Sequence, residues 1–123
     1  MIILDYHDRR PIYEQIVEKF RVLILRGAMP PGSRMPSVRQ LAMELSINPN
    51  TIQRAYMTLE QEGLIYPVKG KGNFIADTEQ IRKKCREDYY QEFRGVVRRG
   101  RELGIGEEEL IYMIKDCYKE GRE

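Results

Sequence analysis

The 123-residue chain has room for one domain with a small appendage and is too short for two catalytic lobes. With 41% apolar and 33% charged residues it reads as an ordered, soluble, helix-rich protein, which excludes a disordered chain. The net charge of +2 is unevenly spread: residues 1–76 hold ten lysines and arginines against seven acidic residues, and residues 77–123 hold eleven against twelve. A mildly basic first part permits nucleic-acid binding without demanding it.

The chain opens with Met1-Ile2-Ile3-Leu4-Asp5, which has neither the basic start nor the long apolar stretch of a secretory signal. Pro11 is expected at the first position of a helix, where its missing N–H costs nothing. Ile12, Ile16, Phe20, Leu23 and Ile24 follow at helical spacing, and Arg26-Gly27 ends the run. The apolar stretch Val22–Leu25 sits between arginines and is far short of a membrane span, as is Leu110–Ile114 further on. A cytoplasmic protein is expected.

Pro30-Pro31-Gly32-Ser33 breaks the pattern and predicts a loop. Ser37-Val38-Arg39-Gln40 is a capping box that opens a short helix with Leu41, Ala42 and Leu45 on its apolar face. Only Ser46 and Ile47 separate it from a second start, Asn48-Pro49, and a helix bearing Ile52, Ala55, Tyr56 and Leu59 that stops at Gly63. Two short helices joined so tightly make a helix-turn-helix. The β-prone runs Leu64–Val68 and Asn73–Ala76 flank Lys69-Gly70-Lys71-Gly72 and predict a hairpin, with Pro67 at an edge or a bulge. The expected fold is therefore mainly α with a small β-hairpin, an N-terminal winged helix-turn-helix over residues 1–76.

Residues 77–123 read as two helices. Asp77-x-x-Gln80 caps a long one whose stripe comprises Ile81, Cys85, Tyr89, Phe93, Val96 and Val97, and Gly104 stops it. Glu107-Glu108-Glu109 begins another, where the helix dipole favours carboxylates, and Leu110, Ile111, Ile114, Cys117 and Tyr118 follow. So small a tail cannot bury its own stripe, and a second copy of the chain is its expected cover, making it a short two-helix dimerisation module. Gly95 and Gly100 inside the long helix mark either a hinge or a close approach of another helix. Two helices of this length cannot close a pocket of roughly 300 Å³ within one subunit. A small-molecule effector would therefore bind at the dimer interface, between tail and winged domain, or not at all, and the sequence does not name one.

On a wheel of about 100° per residue, Asn50, Gln53, Arg54 and Met57 lie opposite the core side of the second short helix, with Thr51 on the shoulder. Asparagine and glutamine pair with adenine and arginine with guanine in a major groove wide enough for a helix, although any surface helix shows a polar outer face. Ser37 and Arg39 stand at a helix start, where unpaired N–H groups suit a phosphate. The turn Lys69, Gly70, Lys71, Gly72 is basic and slim enough to approach DNA. In a winged helix these elements share one face, and the convergence favours DNA over the rival reading, a winged-helix module that docks a partner protein without sequence-specific DNA binding. Enzymatic readings find no support. Gly70-x-Gly72 lacks the third glycine of a dinucleotide site, no phosphate-binding loop or nucleophile motif is present, and no cofactor is implied. His7 is the only histidine, so Cys85 and Cys117 cannot complete a zinc set; small buried hydrophobes are the expected role of both.

The runs Pro11–Ile16, Pro31–Ala42, Asn48–Tyr56, Leu59–Ile65 and Gly70–Phe74 together resemble the DNA-binding domain of GntR-type bacterial regulators, in that family's order and spacing. A tail of two helices is similar to the YtrA-type subclass, whose members are dimeric repressors, often of transporter operons. The resemblance implies DNA contacts from Ser37, Arg39, Asn50, Thr51, Gln53, Arg54 and the wing around Gly72, and a homodimer on a near-palindromic operator. Pro49 and Gln53 stand where many relatives carry arginine, so their base preference does not transfer. Asn48-Pro49-Asn50-Thr51 is usual for the YtrA type and for the aminotransferase-linked subclass, whose large second domain is absent from this sequence.

Overall fold

Helix α1 spans Ile12–Leu25, α2 Val38–Leu45 and α3 Pro49–Gln61; strands β1, Ile65–Val68, and β2, Gly72–Ile75, follow, then α4, Glu79–Glu102, and α5, Glu107–Glu120. This computed structural model describes residues 2–121 and divides into two compact units, Met1–Glu79 and Gln80–Glu123. The mainly helical class, the winged helix-turn-helix and the pair of C-terminal helices are as the pattern predicts.

In the first unit, Ile16, Phe20 and Ile24 of α1 are buried together with Leu41 and Ala42 of α2, Ile52, Ala55, Tyr56 and Leu59 of α3, and Leu64, Ile65 and Ile75 of the hairpin. Phe20 meets Tyr56 edge-on, with ring centroids 5.9 Å apart, an arrangement the aromatic quadrupole favours. Arg21 of α1 forks onto Glu62 just past α3, its Nε and Nη2 donating to the two carboxylate oxygens at 2.9 and 2.8 Å, and it also pairs with Glu18. Pro11 takes the N-cap and not the first helical position, with ψ at 147°. Its extended backbone follows from the segment before it, which Gln15 ties down. This buried side chain accepts the Asp5 N–H and donates to the Arg10 carbonyl, both at 3.1 Å.

The two helix starts form as the capping residues demand. Ser37 Oγ accepts the Gln40 N–H at 3.0 Å, and Asn48 Oδ1 accepts the Asn50 N–H at 2.8 Å. Between them Ser46 ends α2 in the left-handed region, φ 54°, a conformation that costs any residue with a Cβ.

Strands β1 and β2 pair antiparallel, with Ile65 opposite Ile75 and Pro67 opposite Asn73. The segment read as a plain loop does more. Gly32 N–H donates to the Ile75 carbonyl, Ile75 N–H to the Ser33 carbonyl and Met35 N–H to the Asn73 carbonyl, each at 2.8 Å. Residues 32–35 thus line the second edge of β2. Pro67 is left on β1, which borders one neighbour only, the position in which a missing N–H is tolerated. At the tip, Lys71 N–H donates to the Val68 carbonyl at 2.9 Å and Gly70 has φ 79°, the requirement of a type II turn at its third residue.

In the second unit α4 runs unbroken through Gly95 and Gly100. Asp77, just before it, accepts the Glu79 N–H at 3.2 Å. Gly100 is buried, and a Cβ there would stand 3.4 Å from Leu110 Cδ1, so this glycine serves close approach of α5 to α4. Burial in the unit goes little further: no described residue of α5 is buried. Within the single chain Cys85 and Cys117 are exposed and unpaired, so its own fold does not bury them as expected. Two helices have too little opposing surface to cover them. Among the described residues, no helix is long and apolar enough to cross a membrane, and no cluster of side chains is suited to a metal ion.

Candidate nucleic-acid interface

The outer face of α3 follows from the way its inner face is sealed. Ile52, Ala55 and Leu59 are fully buried, and the Tyr56 hydroxyl donates to the Pro36 carbonyl at 2.7 Å, linking α3 to the residue before the α2 cap. Burial pushes that hydroxyl well above the usual tyrosine range. With the core side fixed, Asn50, Gln53, Arg54 and Met57 are exposed and Thr51 is half-buried.

Ser37 and Arg39 are exposed at the start of α2, where the Ser37 oxygen is engaged in the cap and other first-turn N–H groups remain open to an anion. Lys69, Gly70, Lys71 and Gly72 are exposed at the hairpin tip. These two places are joined by Arg34, a residue the pattern did not single out. It bridges to Phe74 beside β2, its guanidinium Nε lies 3.5 Å from where a Gly72 Cβ would stand, and it shares with Ser37 a groove of about 490 Å³. Arg34 adds a third cation to the lysines of the wing. Its only signal in the sequence was a basic residue inside a Pro/Gly loop, and its placement depends on the long-range pairing of residues 32–35. Behind the tip, Tyr66 and Phe74 stack at 6.0 Å.

Arg54 is placed differently from its neighbours. Its guanidinium carbon sits 3.8 Å from the centroid of the Tyr13 ring, on the first turn of α1.

In the second unit, Tyr89, Phe93 and Val96 of the predicted stripe are exposed with Cys85, and Ile81 and Val97 are half-buried. Leu110 is half-buried against Gly100 and Ile114 is exposed. Phe93, Val97, Leu110 and Ile114 line one open groove of about 560 Å³ along α4 and α5.

Residues 12–75 match the family model described as bacterial regulatory proteins, gntR family. The chain belongs to the GntR family. The match covers the whole run from α1 to the end of β2, and the whole chain has counterparts as well. It is 35% identical to the HTH-type transcriptional regulator YhcF of Bacillus subtilis over 90% of this chain and 93% of that one. It is 46% identical to the HTH-type transcriptional repressor YtrA of the same organism, over 63% of this chain and 59% of YtrA. A GntR family transcriptional regulator from Listeria monocytogenes superposes with a TM-score of 0.71 at 36% identity, covering 92% of this chain and 98% of that one. The DNA-binding domain of AraR in complex with operator ORR3 superposes at 0.53 and 30% identity over 60% of this chain and 89% of that one. The family and subclass expected from the motifs are those of these relatives.

Proposed function

We propose that this GntR-family chain is a sequence-specific transcriptional repressor of the cytoplasm that binds a near-palindromic operator as a homodimer. The observation that carries the reading is the exposed row Asn50, Gln53 and Met57 on a helix whose opposite side is sealed into the core, with the α2 start and the basic wing tied beside it through Pro36 and Arg34. AraR, a structural neighbour, is seen with its operator, and YtrA is named a repressor.

In this reading Asn50 and Gln53 read base edges, with Thr51 beside them, and Arg54 adds a positive contact from the same helix. Ser37 and Arg39 hold a phosphate at the α2 start, and Lys69, Gly70, Lys71 and Gly72 follow the backbone with the wing. Residues 1–76 form the DNA-binding domain. Residues 77–123 form the dimerisation module, with Ile81, Cys85, Tyr89, Phe93, Val96, Val97, Leu110 and Ile114 as its contact surface. A second copy is the occupant because an apolar row along both helices is left uncovered by its own unit. Two-fold symmetry then presents two copies of α3 to half-sites about 34 Å apart.

Selection of duplexes from a random pool by the full chain tests the reading. A near-palindromic consensus, lost on Asn50→Ala and Gln53→Ala, is the expected result; recovery of no consensus with binding indifferent to salt overturns it, because phosphate contacts release counterions.

A further inference from the structure

We propose that Tyr13 holds Arg54 for a backbone phosphate of DNA, so that Arg54 anchors α3 at its flank and does not read a base. The proposal rests on the DNA-binding reading above and assigns Tyr13, on α1, a part in it.

Three observations carry it. The first is the stack itself, 3.8 Å from guanidinium carbon to ring centroid, with the Tyr13 hydroxyl donating to Glu14 Oε1 at 3.3 Å. An arginine laid face-on against an aromatic ring uses its π face, while its N–H donors lie in the guanidinium plane and point outward, so stacking and hydrogen bonding are compatible. The second is that those donors are unspent. Arg10 is engaged with Asp8, and Arg21 with Glu18 and Glu62, whereas no hydrogen bond or ion pair among the described residues uses the Arg54 side chain. The third is position. Tyr13 belongs to α1, which packs against α3, so the stack holds the guanidinium on the side of α3 that faces α1. A helix about 10–12 Å across fills a major groove about 12 Å wide, so its ridge meets base edges and its flanks meet the sugar–phosphate walls. A planar fork held at the flank suits the bidentate geometry of a phosphate.

The test uses the full chain, the best duplex from the selection and a scrambled duplex of equal length, with affinities measured across a salt series. Arg54→Ala is expected to weaken both duplexes alike, by about tenfold, and to reduce the log–log salt slope by about 0.9, the value of one phosphate contact. Tyr13→Leu is expected to weaken both by about threefold, as loss of an exposed cation–π contact would. Tyr13→Phe, which keeps the ring, restores wild-type affinity, and Tyr13→Leu in the Arg54→Ala background has no further effect. Thermal melts of each variant separate misfolding from lost contact, and Tyr13→Gln, which also removes the ring, takes the place of Tyr13→Leu if that variant is unstable. Loss of discrimination between the two duplexes in Arg54→Ala overturns the proposal and makes Arg54 a base reader. An effect of Arg54→Ala with none from Tyr13→Leu removes Tyr13 from the interface. Failure of the wild-type chain to bind any duplex would defeat the DNA-binding reading itself, an outcome distinct from these.

Discussion

Ser46 carries the tight turn between α2 and α3 with φ at 54°, where a Cβ crowds the following carbonyl. Ser46→Gly is therefore expected to stabilise the chain by about 0.5–1 kcal/mol in urea denaturation. An unchanged or lower midpoint would mean that the serine's side chain compensates for its backbone. Tyr56 is the complementary case, a polar group satisfied inside the core. Tyr56→Phe removes the donor to the Pro36 carbonyl and should cost about 1 kcal/mol. It should also alter the alkaline limb. The folded hydroxyl titrates above the usual tyrosine value, so its contribution is complete below about pH 10 and is lost as pH rises beyond it. The wild type should lose stability there more steeply than the Phe variant.

At the scale of elements, the wing is a β-hairpin made into a broader sheet by residues 32–35, and the two glycines at its tip have different duties. Gly70 meets open space at φ 79°, whereas Gly72, at φ 107°, faces the Arg34 guanidinium. Lys71→Ala, between them, is expected to weaken specific and random duplexes equally and to flatten the salt dependence, as removal of a phosphate contact does. A change confined to one sequence would make the wing a base reader. The helix starts, the tight turn and the hairpin were legible from short-range chemistry: Ser37 and Asn48 as caps, Gly63 as a stop, the glycines of the tip. Residues 32–35 were not, because Pro30-Pro31-Gly32 signals a break in helix while the pairing partner lies some forty residues away in sequence.

For the whole molecule the decisive prediction is the oligomeric state. Phe93→Asp or Ile114→Asp, each placing a charge in the α4–α5 groove, is expected to turn a dimer into a monomer by light scattering while leaving the fold of the first unit intact. A wild-type chain that is monomeric at micromolar concentration would refute the dimer. Cys85 offers a second readout. Exposed in the single chain and placed on the stripe, it should react slowly with a thiol reagent in the wild type and fast in Phe93→Asp.

The order of helices, the caps Ser37 and Asn48, the hairpin and the polar row of α3 were determined by the sequence alone, since each depends on residues within one or two turns of one another. The tertiary structure decided what those local rules cannot reach. It placed Arg34 against the wing, laid Arg54 on Tyr13, buried Gln15 beneath the N-terminal segment and left both cysteines of the tail uncovered. Each of these depends on which surface a distant segment brings opposite, and periodicity describes only the face a residue occupies, not what meets it there.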